Sequence, residues 1–324
     1  MHTSTPQISI LMAVYEPNLQ WLKEQLDSLE AQTYPNLKLY VCDDCSPTCS
    51  FDVLKDIVNS SIHSFPVIIE RNEKNMGSTF TFERLTAEAD GEYFAYCDQD
   101  DIWLPEKLST LKNAIEQDDA LLVCSDMYVI DSDGKQIADS ILKINKKQQF
   151  LSGRNQATKL LYNNCFTGCA MLIRAEVARN AIPFCPFMIH DYYLAIASAV
   201  KGLIVSIPKK LIKYRIHPNN QSAPMVGIKD KQDYYEERIE TYLAQYNWLI
   251  EKFNTDADLT NDLSNRIKWM EARKAWFYGN RAASKTLWEY RKFSILTTFF
   301  ELLGIHKSKH LLPGLLSIKK RSYK

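Results

Sequence analysis

The residues best suited to chemistry in this 324-residue chain stand together at Asp98-Gln99-Asp100-Asp101. Three carboxylates fall within four positions, directly after the apolar run Tyr93-Phe94-Ala95-Tyr96, which reads as a buried strand. Carboxylates clustered at a strand end repel one another unless something positive neutralises them. Alternate residues of an extended chain face the same way, so Asp98 and Asp100 can converge on one ion. A hard divalent cation such as Mg²⁺ or Mn²⁺ suits one or two carboxylates together with substrate phosphates. The plain alternative is a strand end running into an Asp-rich turn that caps a helix starting near Leu104-Pro105.

The elements that must hold these acids follow from periodicity. Ile8-Ser9-Ile10-Leu11-Met12-Ala13-Val14 suits a strand buried in a parallel sheet, and Tyr15-Glu16-Pro17-Asn18 breaks it. Leu19, Leu22, Leu26 and Leu29 repeat at helical spacing. Leu37-Lys38-Leu39-Tyr40-Val41-Cys42 is a second strand ending in Asp43-Asp44. A helix over 51–58, a strand over 65–69 and a helix over 79–88 lead into the Tyr93 strand. This alternation predicts a doubly wound α/β sheet, in which ligands bind outside the carboxyl ends of the strands. The loops Tyr15-Glu16, Asp43-Asp44-Cys45-Ser46 and Asp98-Gln99-Asp100-Asp101 should therefore share one crevice. No G-x-G-x-x-G follows the first strand and no G-x-x-x-x-G-K-[ST] occurs, which weakens dinucleotide and P-loop readings. Further on, 121–126 and 128–130 read as strands and Asp131-Ser132-Asp133-Gly134 as a hairpin tip. Residues 164–173 read as a strand entered through a small-residue loop, and 190–200 as a helix. A strand is expected at 203–207, and 211–217 ends the mixed part of the pattern. From Lys229 the pattern is helical, with a break near Asn254-Thr255-Asp256.

Apolar residues form 46 % of the chain, enough for a full core in one large domain or two smaller ones. The formal net charge of zero decides neither for nor against nucleic acid, and no nucleic-acid partner is expected. The charge is unevenly spread. From Glu271 to Lys324, twelve Lys and Arg stand against three Glu, a local +9, so the remainder carries −9. Met1-His2-Thr3-Ser4-Thr5-Pro6 lacks the basic region and apolar core of a secretion signal. No apolar run reaches the roughly 18 residues that span a bilayer. The eight cysteines accordingly read as reduced thiols of a cytoplasmic protein. Cys42, Cys45 and Cys49 invite a zinc reading, but acids sit inside the first pair and no fourth ligand stands at zinc-site spacing.

Taken in order, several segments resemble the family-2 glycosyltransferases of GT-A fold. They are Ile8 to Tyr15, Gln25-Leu26-Asp27-Ser28-Leu29, Gln32-Thr33-Tyr34-Pro35, Cys42-Asp43-Asp44-Cys45-Ser46, and Gly91-Glu92-Tyr93 through Trp103. Cys97-Asp98-Gln99-Asp100-Asp101-Ile102-Trp103, Thr167-Gly168-Cys169 and His190-Asp191 most resemble bacterial rhamnosyltransferase-type enzymes of surface-polysaccharide synthesis. The resemblance covers residues 7 to 220. It implies a Rossmann-like mixed sheet flanked by helices, with a catalytic domain at 1–224 and a helical region at 225–324. It also implies inverting transfer of a sugar from a nucleotide-sugar donor, dTDP-rhamnose or a UDP-hexose. The acceptor would be a hydroxyl of a glycan or lipid-linked molecule.

Residue roles follow from the same resemblance. Bound Mg²⁺ or Mn²⁺ would stabilise the leaving diphosphate as a Lewis acid. Asp100 is the expected metal ligand. Asp98 contacts the ribose or helps hold the metal, and Asp101 does either or caps the following helix. Asp43 and Asp44 recognise base and ribose, the alternative being a turn pair bonded to its own backbone and Ser46. The backbone at Ala13 and Val14, with Glu16, flanks the base. Tyr15 stacks on it or packs, and Gln99 belongs to the donor-binding set. Asp191 is the expected base for the acceptor hydroxyl, a role typically worth ~10²–10⁴-fold; an N-cap role is compatible with it. His190 orients Asp191 or contacts acceptor. His217 completes the metal site, and Arg215 approaches the diphosphate through its planar fork. Arg84 is a second diphosphate candidate. Gly168 permits close backbone approach in the sugar or acceptor pocket.

The resemblance does not extend past residue 224. Tyr234, Tyr235, Tyr242, Tyr246, Trp248, Trp269, Trp276, Phe277 and Trp288 are expected to form helical core. The apolar stretches 293–303 and 311–316, flanked by Lys and Arg, suit an interfacial helix on an anionic membrane, a dimer contact or a core helix. Two rival functions remain. A nucleotidyltransferase would want a Gly-rich, basic loop after the first strand, and Tyr15-Glu16-Pro17-Asn18 is neither. A binding-only protein on the same fold would have no need of Asp98, Asp100 and Asp191 together.

Overall fold

The computed structural model describes residues 5–145, 148–218 and 230–302. The chain divides into two compact units, Met1–Gln221 and Ser222–Lys324. The first contains β1 (Ile8–Val14), α1 (Leu19–Glu30), β2 (Leu37–Asp43), α2 (Phe51–Ser61), β3 (Val67–Arg71), α3 (Ser78–Glu88), β4 (Tyr93–Cys97), β5 (Ile102–Trp103) and α4 (Lys107–Gln117). It continues with β6 (Leu122–Ile130), β7 (Gln136–Ala138), α5 (Ile141–Ile144), α6 (Ala157–Leu160), β8 (Met171–Arg174), α7 (Ala175–Asn180), α8 (His190–Lys201) and β9 (Ile204–Arg215).

These strands form one mixed sheet in the order β3-β2-β1-β4-β8-β6-β9-β5, with β7 paired to β6. β1 pairs in parallel with β2 and β4, and β6 with β9, while β8 runs antiparallel between β4 and β6. Following these senses across the sheet, β1, β2, β4, β6 and β9 all end at the same edge. The acids after β2 and β4 and the Arg215–His217 segment after β9 are thereby delivered to one rim. β1 and β4 are apolar on both faces, with Ile8, Ile10, Leu11, Phe94 and Ala95 wholly buried, as expected for central strands covered by helices.

Local chemistry explains the boundaries. Asn18 caps α1 by accepting from the amides of Gln20 and Trp21, and Ser50 caps α2 through Val53. The hairpin tip at 131–134 forms as its residues predict. Asp131 accepts from the amides of Asp133 and Lys135, and Gly134 takes a φ of 79°.

Two expectations are corrected. The strand expected over 164–173 begins only at Met171, because Gly168–Ala170 winds into a 3₁₀ turn. The strand expected at 203–207 is longer than its pattern suggests and runs on to Arg215 as β9. It follows β6 continuously, with register shifts beside Asp126 that absorb the polar Pro208-Lys209-Lys210 stretch.

The second unit contains α9 (Lys231–Tyr235), α10 (Thr241–Lys252), α11 (Ala257–Phe277), α12 (Ser284–Glu289) and α13 (Ile295–Leu302), with a π-helical turn at Glu236–Glu240. The expected break falls between α10 and α11, where Asp256 caps the amide of Leu259. Tyr235, Tyr246, Trp269 and Trp276 are buried as expected, but Trp288 is exposed. The basic apolar segment at 311–316 lies outside the described residues. Among the described residues no helix is long and apolar enough to cross a membrane.

Gly91 opens β4 at a φ of 100°, and a Cβ there would stand 2.7 Å from Ser9 Oγ and 3.2 Å from the Gln7 carbonyl. Gly91→Ala should lower folding stability by roughly 1–3 kcal/mol, since strained backbone and a clash act together. A fall in urea midpoint at unchanged m value would show it.

Candidate active site

The rim is assembled by side chains that bond to backbone. Gln99 reaches back to β1, accepting from the Tyr15 amide (2.8 Å) and donating to the Tyr15 carbonyl (3.0 Å). This clamp fixes the loop after β4 against the loop after β1 and leaves the Tyr15 ring exposed. Glu16, at a φ of 45°, accepts from the Thr48 hydroxyl and from the amides of Thr48 and Cys49, and these bonds, the hydroxyl's foremost, hold its carboxyl below the usual range. Ala13 and Val14 end β1 beside them, and the Val14 carbonyl accepts from the Asp44 amide at 2.7 Å.

The acid pair after β2 is buried and fully engaged. Asp43 pairs with Arg71 (2.8 Å) and accepts from the Ser46 hydroxyl (2.5 Å). Asp44 accepts from the amides of Met76 and Gly77, both at 2.8 Å, and from Asn72 Nδ2 at 2.7 Å. Asp44 thus holds the 72–77 loop against β2 at the start of α3. The self-bonded turn that stood as the alternative reading is present at Asp43, which bonds Ser46, and not at Asp44, whose partners lie in the 72–77 loop. Arg84, expected toward a diphosphate, is committed to Glu70, Glu88 and Asn72.

The Asp98–Asp101 loop is electrostatically the most stressed part of the unit. Burial pushes Asp98 up to about 7, and the charges of Asp100 and Asp191 push the same way. Asp100 Oδ2 lies 2.6 Å from His217 Nε2, and the His217 ring rests on Trp21 at 4.9 Å. Asp101 does not cap α4, whose N-cap is Glu106. One Asp101 oxygen accepts from the Arg215 amide at 2.9 Å, and the other has no partner.

Arg215 is corrected from its expected role. Its guanidinium is 1 % exposed and turned inward, so it offers no face to a diphosphate. Nε donates to the Asp100 carbonyl (2.8 Å), Nη2 pairs with Glu24 (2.5 Å), and Nη1 reaches the carbonyls of Asp131 and Ser132, both at 3.4 Å. The planar fork that suits phosphate here spans two backbone segments and one carboxylate.

Asp191 lies in the first turn of α8, whose cap residue is Ile189, so it is not the N-cap. Its oxygens accept from the Gly168 amide (2.9 Å) and from Asn164 Nδ2 (3.3 Å), and burial raises its carboxyl to about 6. Gly168 serves protein packing, since a Cβ there would lie 2.8 Å from His190 Nε2 and 3.4 Å from Asp191 Cβ. The His190 ring stacks on Phe82 (4.0 Å) and Tyr96 (5.1 Å) with neither nitrogen bonded, and burial lowers its pKa to about 3. His190 is thus a neutral packing group that seats α8 and makes no bond to Asp191.

Lys107 escapes sequence reading. It is wholly buried in α4, donates to the Cys169 carbonyl (2.6 Å), and lies 2.9 Å from the Trp103 ring centroid. Burial draws its pKa down to about 7 against the opposing pull of Cys169, Cys97 and Asp101. A lysine two residues after Pro105 at a helix start carries no signal of this; only the folded position beneath the acids does.

The donor set suits a divalent cation. Asp98 and Asp100 supply hard oxygens, and His217 supplies an imidazole nitrogen already at the Asp100 carboxylate. The desolvated Asp98, repelled by two other acids, is a negative charge that a cation would relieve. Asp98, Asp101 and Cys169 also bring possible ligand atoms within 4.8 Å of one another. The Cys169 thiol, however, is pushed well above its usual range by burial and stays protonated.

A mixed sheet of this order, with acidic loops at one rim and a carboxylate at a facing helix start, defines a glycosyltransferase of GT-A fold. The chain belongs to glycosyl transferase family 2, whose model matches residues 9–180. It is 24 % identical over 277 residues to an uncharacterized glycosyltransferase of a Nostoc species, covering 83 % of this chain and 84 % of that one. It is 26 % identical to the Escherichia coli UDP-Glc:alpha-D-GlcNAc-diphosphoundecaprenol beta-1,3-glucosyltransferase WfgD, covering 75 % and 90 %. It is 24 % identical to the Shigella flexneri dTDP-rhamnosyl transferase RfbG, covering 68 % and 76 %. Among solved structures, Staphylococcus aureus TarS 1-349 in complex with UDP-GlcNAc aligns with a TM-score of 0.57 at 15 % identity, over 89 % of this chain and 90 % of that one. The mannosyltransferase PcManGT of Pyrobaculum calidifontis, in complex with GDP-Man and Mn²⁺, aligns at 0.54 and 15 %, over 95 % and 88 %. These structural likenesses speak for the fold.

Arg215→Met should destabilise the protein by roughly 2–4 kcal/mol, because a buried charge network loses its centre. Gly168→Ala should cost sugar-transfer activity more than stability, since the added methyl displaces His190 and Asp191. Parallel urea melts and rate measurements would separate the two effects.

Proposed function

We propose that this chain is a metal-dependent, inverting glycosyltransferase of bacterial surface-polysaccharide synthesis. It moves a sugar from dTDP-rhamnose or a UDP-hexose to a hydroxyl of a glycan or lipid-linked acceptor. The observation that carries this reading is the donor set after β4, where the carboxylates of Asp98 and Asp100 stand together with a His217 ring nitrogen 2.6 Å from Asp100 Oδ2. The named activities of the two bacterial relatives, on UDP-Glc and a dTDP-rhamnosyl donor, support the two donor classes.

Asp98, Asp100 and His217 would hold the Mg²⁺ or Mn²⁺. That ion, when bound, supplies Lewis-acid stabilisation of the departing diphosphate. Asp191 accepts the proton of the acceptor hydroxyl as that oxygen attacks C1 from the face opposite the leaving group. The amides of Gly168 and Asn164 aim its carboxylate, and its raised pKa of about 6 makes it a better base than an ordinary aspartate at neutral pH. Ala13, Val14 and the Tyr15 ring flank the nucleoside, with Asp43, Asp44, Glu16 and Gln99 shaping its pocket by holding the surrounding loops.

Asp191→Asn should lower kcat by ~10²–10⁴-fold with little change in donor KM. The base works only when ionised, so wild-type kcat should fall as pH drops through about 6, a limb that the variant lacks. UDP-, dTDP- and GDP-sugars should be screened for thermal stabilisation with and without Mn²⁺. One nucleotide should raise Tm in a metal-dependent way, an effect lost in Asp100→Ala and kept in Asp191→Ala. No shift with any nucleotide-sugar would overturn the donor site.

A further inference from the structure

Helix α13 has its polarity reversed. Thr298 and Glu301 face inward, where Trp269 Nε1 donates to the Thr298 hydroxyl (3.2 Å) and Trp276 Nε1 to the Glu301 carbonyl (2.7 Å). Arg273 pairs with the Glu301 carboxylate at 2.8 Å. Ile295, Leu296 and Phe299 are left 66, 68 and 51 % exposed. At this spacing all three share one helix face. α12 packs beside α13 and adds Trp288, also exposed, with the Arg291 guanidinium 4.6 Å from its ring.

The segment that carries this apolar face is basic. Arg281, Lys285, Arg291 and Lys292 are exposed, and over the described residues 281–302 the only exposed acid is Glu289. The sequence beyond Leu302 adds six Lys and Arg and no acid. A second copy of this chain seated on the face would bring the same cations against themselves. The chain's own continuation would add like charge as well. An anionic bilayer answers both features at once, with its phosphates meeting the cations and its interfacial layer taking the apolar side chains.

We propose that α12 and α13 form a docking surface for an anionic phospholipid membrane. Ile295, Leu296, Phe299 and Trp288 enter the interface while Arg281, Lys285, Arg291 and Lys292 engage the headgroups. The surface works whatever the donor and acceptor are, so its failure and the failure of the catalytic reading are separate results.

The full chain should be floated with vesicles of phosphatidylcholine alone and with added phosphatidylglycerol. It should bind the anionic vesicles only, and less as salt rises. Ile295→Ser/Leu296→Ser/Phe299→Ser should weaken binding about tenfold or more, with circular dichroism and transfer to a water-soluble acceptor unchanged. Arg291→Glu/Lys292→Glu should weaken it similarly. Lys319→Glu/Lys320→Glu/Arg321→Glu should keep the dependence on the apolar face. Equal binding to neutral vesicles, an unaffected serine variant, or loss confined to the 319–321 variant would overturn the proposal. So would a dimer in light scattering that the serine variant abolishes.

Discussion

Like charge forced into a space with little water is the constraint on which the first unit is built. Asp98, Asp101 and Asp191 are all pushed above their usual range by burial, and Asp98 feels Asp100 and Asp191 besides. Left alone, such a cluster would open toward solvent. It is held by groups placed around it: Arg215 on the Asp100 carbonyl, the Arg215 amide on Asp101, and His217 on Asp100. Lys107 adds a buried cation that partly offsets Asp98 and Asp101. Sheet order supplies this arrangement. With β9 running parallel to β6 and β4, its end arrives at the same rim as the acids.

The rim is shaped more by internal bonding than by open side chains. Asp44, Glu16 and Gln99 each bind backbone amides of a neighbouring loop, and Asp43 binds Ser46 of its own turn and the Arg71 side chain, so what they offer a ligand is the position of those loops. Preorganisation of this kind costs nothing at the moment of reaction, because the dipoles are set during folding. The same economy holds at α8. Gly168, lacking a Cβ, lets a neutral His190 pack close and donates its amide to Asp191.

The strands and helices of the first hundred residues are legible because their signals are local: apolar runs, leucines at helical spacing, Asn18 and Ser50 caps. The acidic loop after β4 is legible for the same reason. The inward turn of Arg215 is not legible because its partners, Glu24, Asp100 and Asp131, lie far off in sequence, and nothing local tells an inward guanidinium from an outward one. Lys107 went unseen on the same grounds. Residues 164–173 look like a strand by composition, yet Gly168 is consumed by a tertiary contact that shortens it. In the second unit, aromatic content marked the core, but the facing of α13 depends on Trp269, Arg273 and Trp276, which lie on a different helix.

Arg215 also sets an order of events during synthesis. It stands 115 residues after Asp100 and 191 after Glu24. A ribosome releases the acidic loop long before the arginine that closes it. Until β9 emerges, the carboxylates stay hydrated and their repulsion is weak. Their desolvation is deferred to the last strand, so the nascent chain closes this cluster only when nearly the whole first unit has been made.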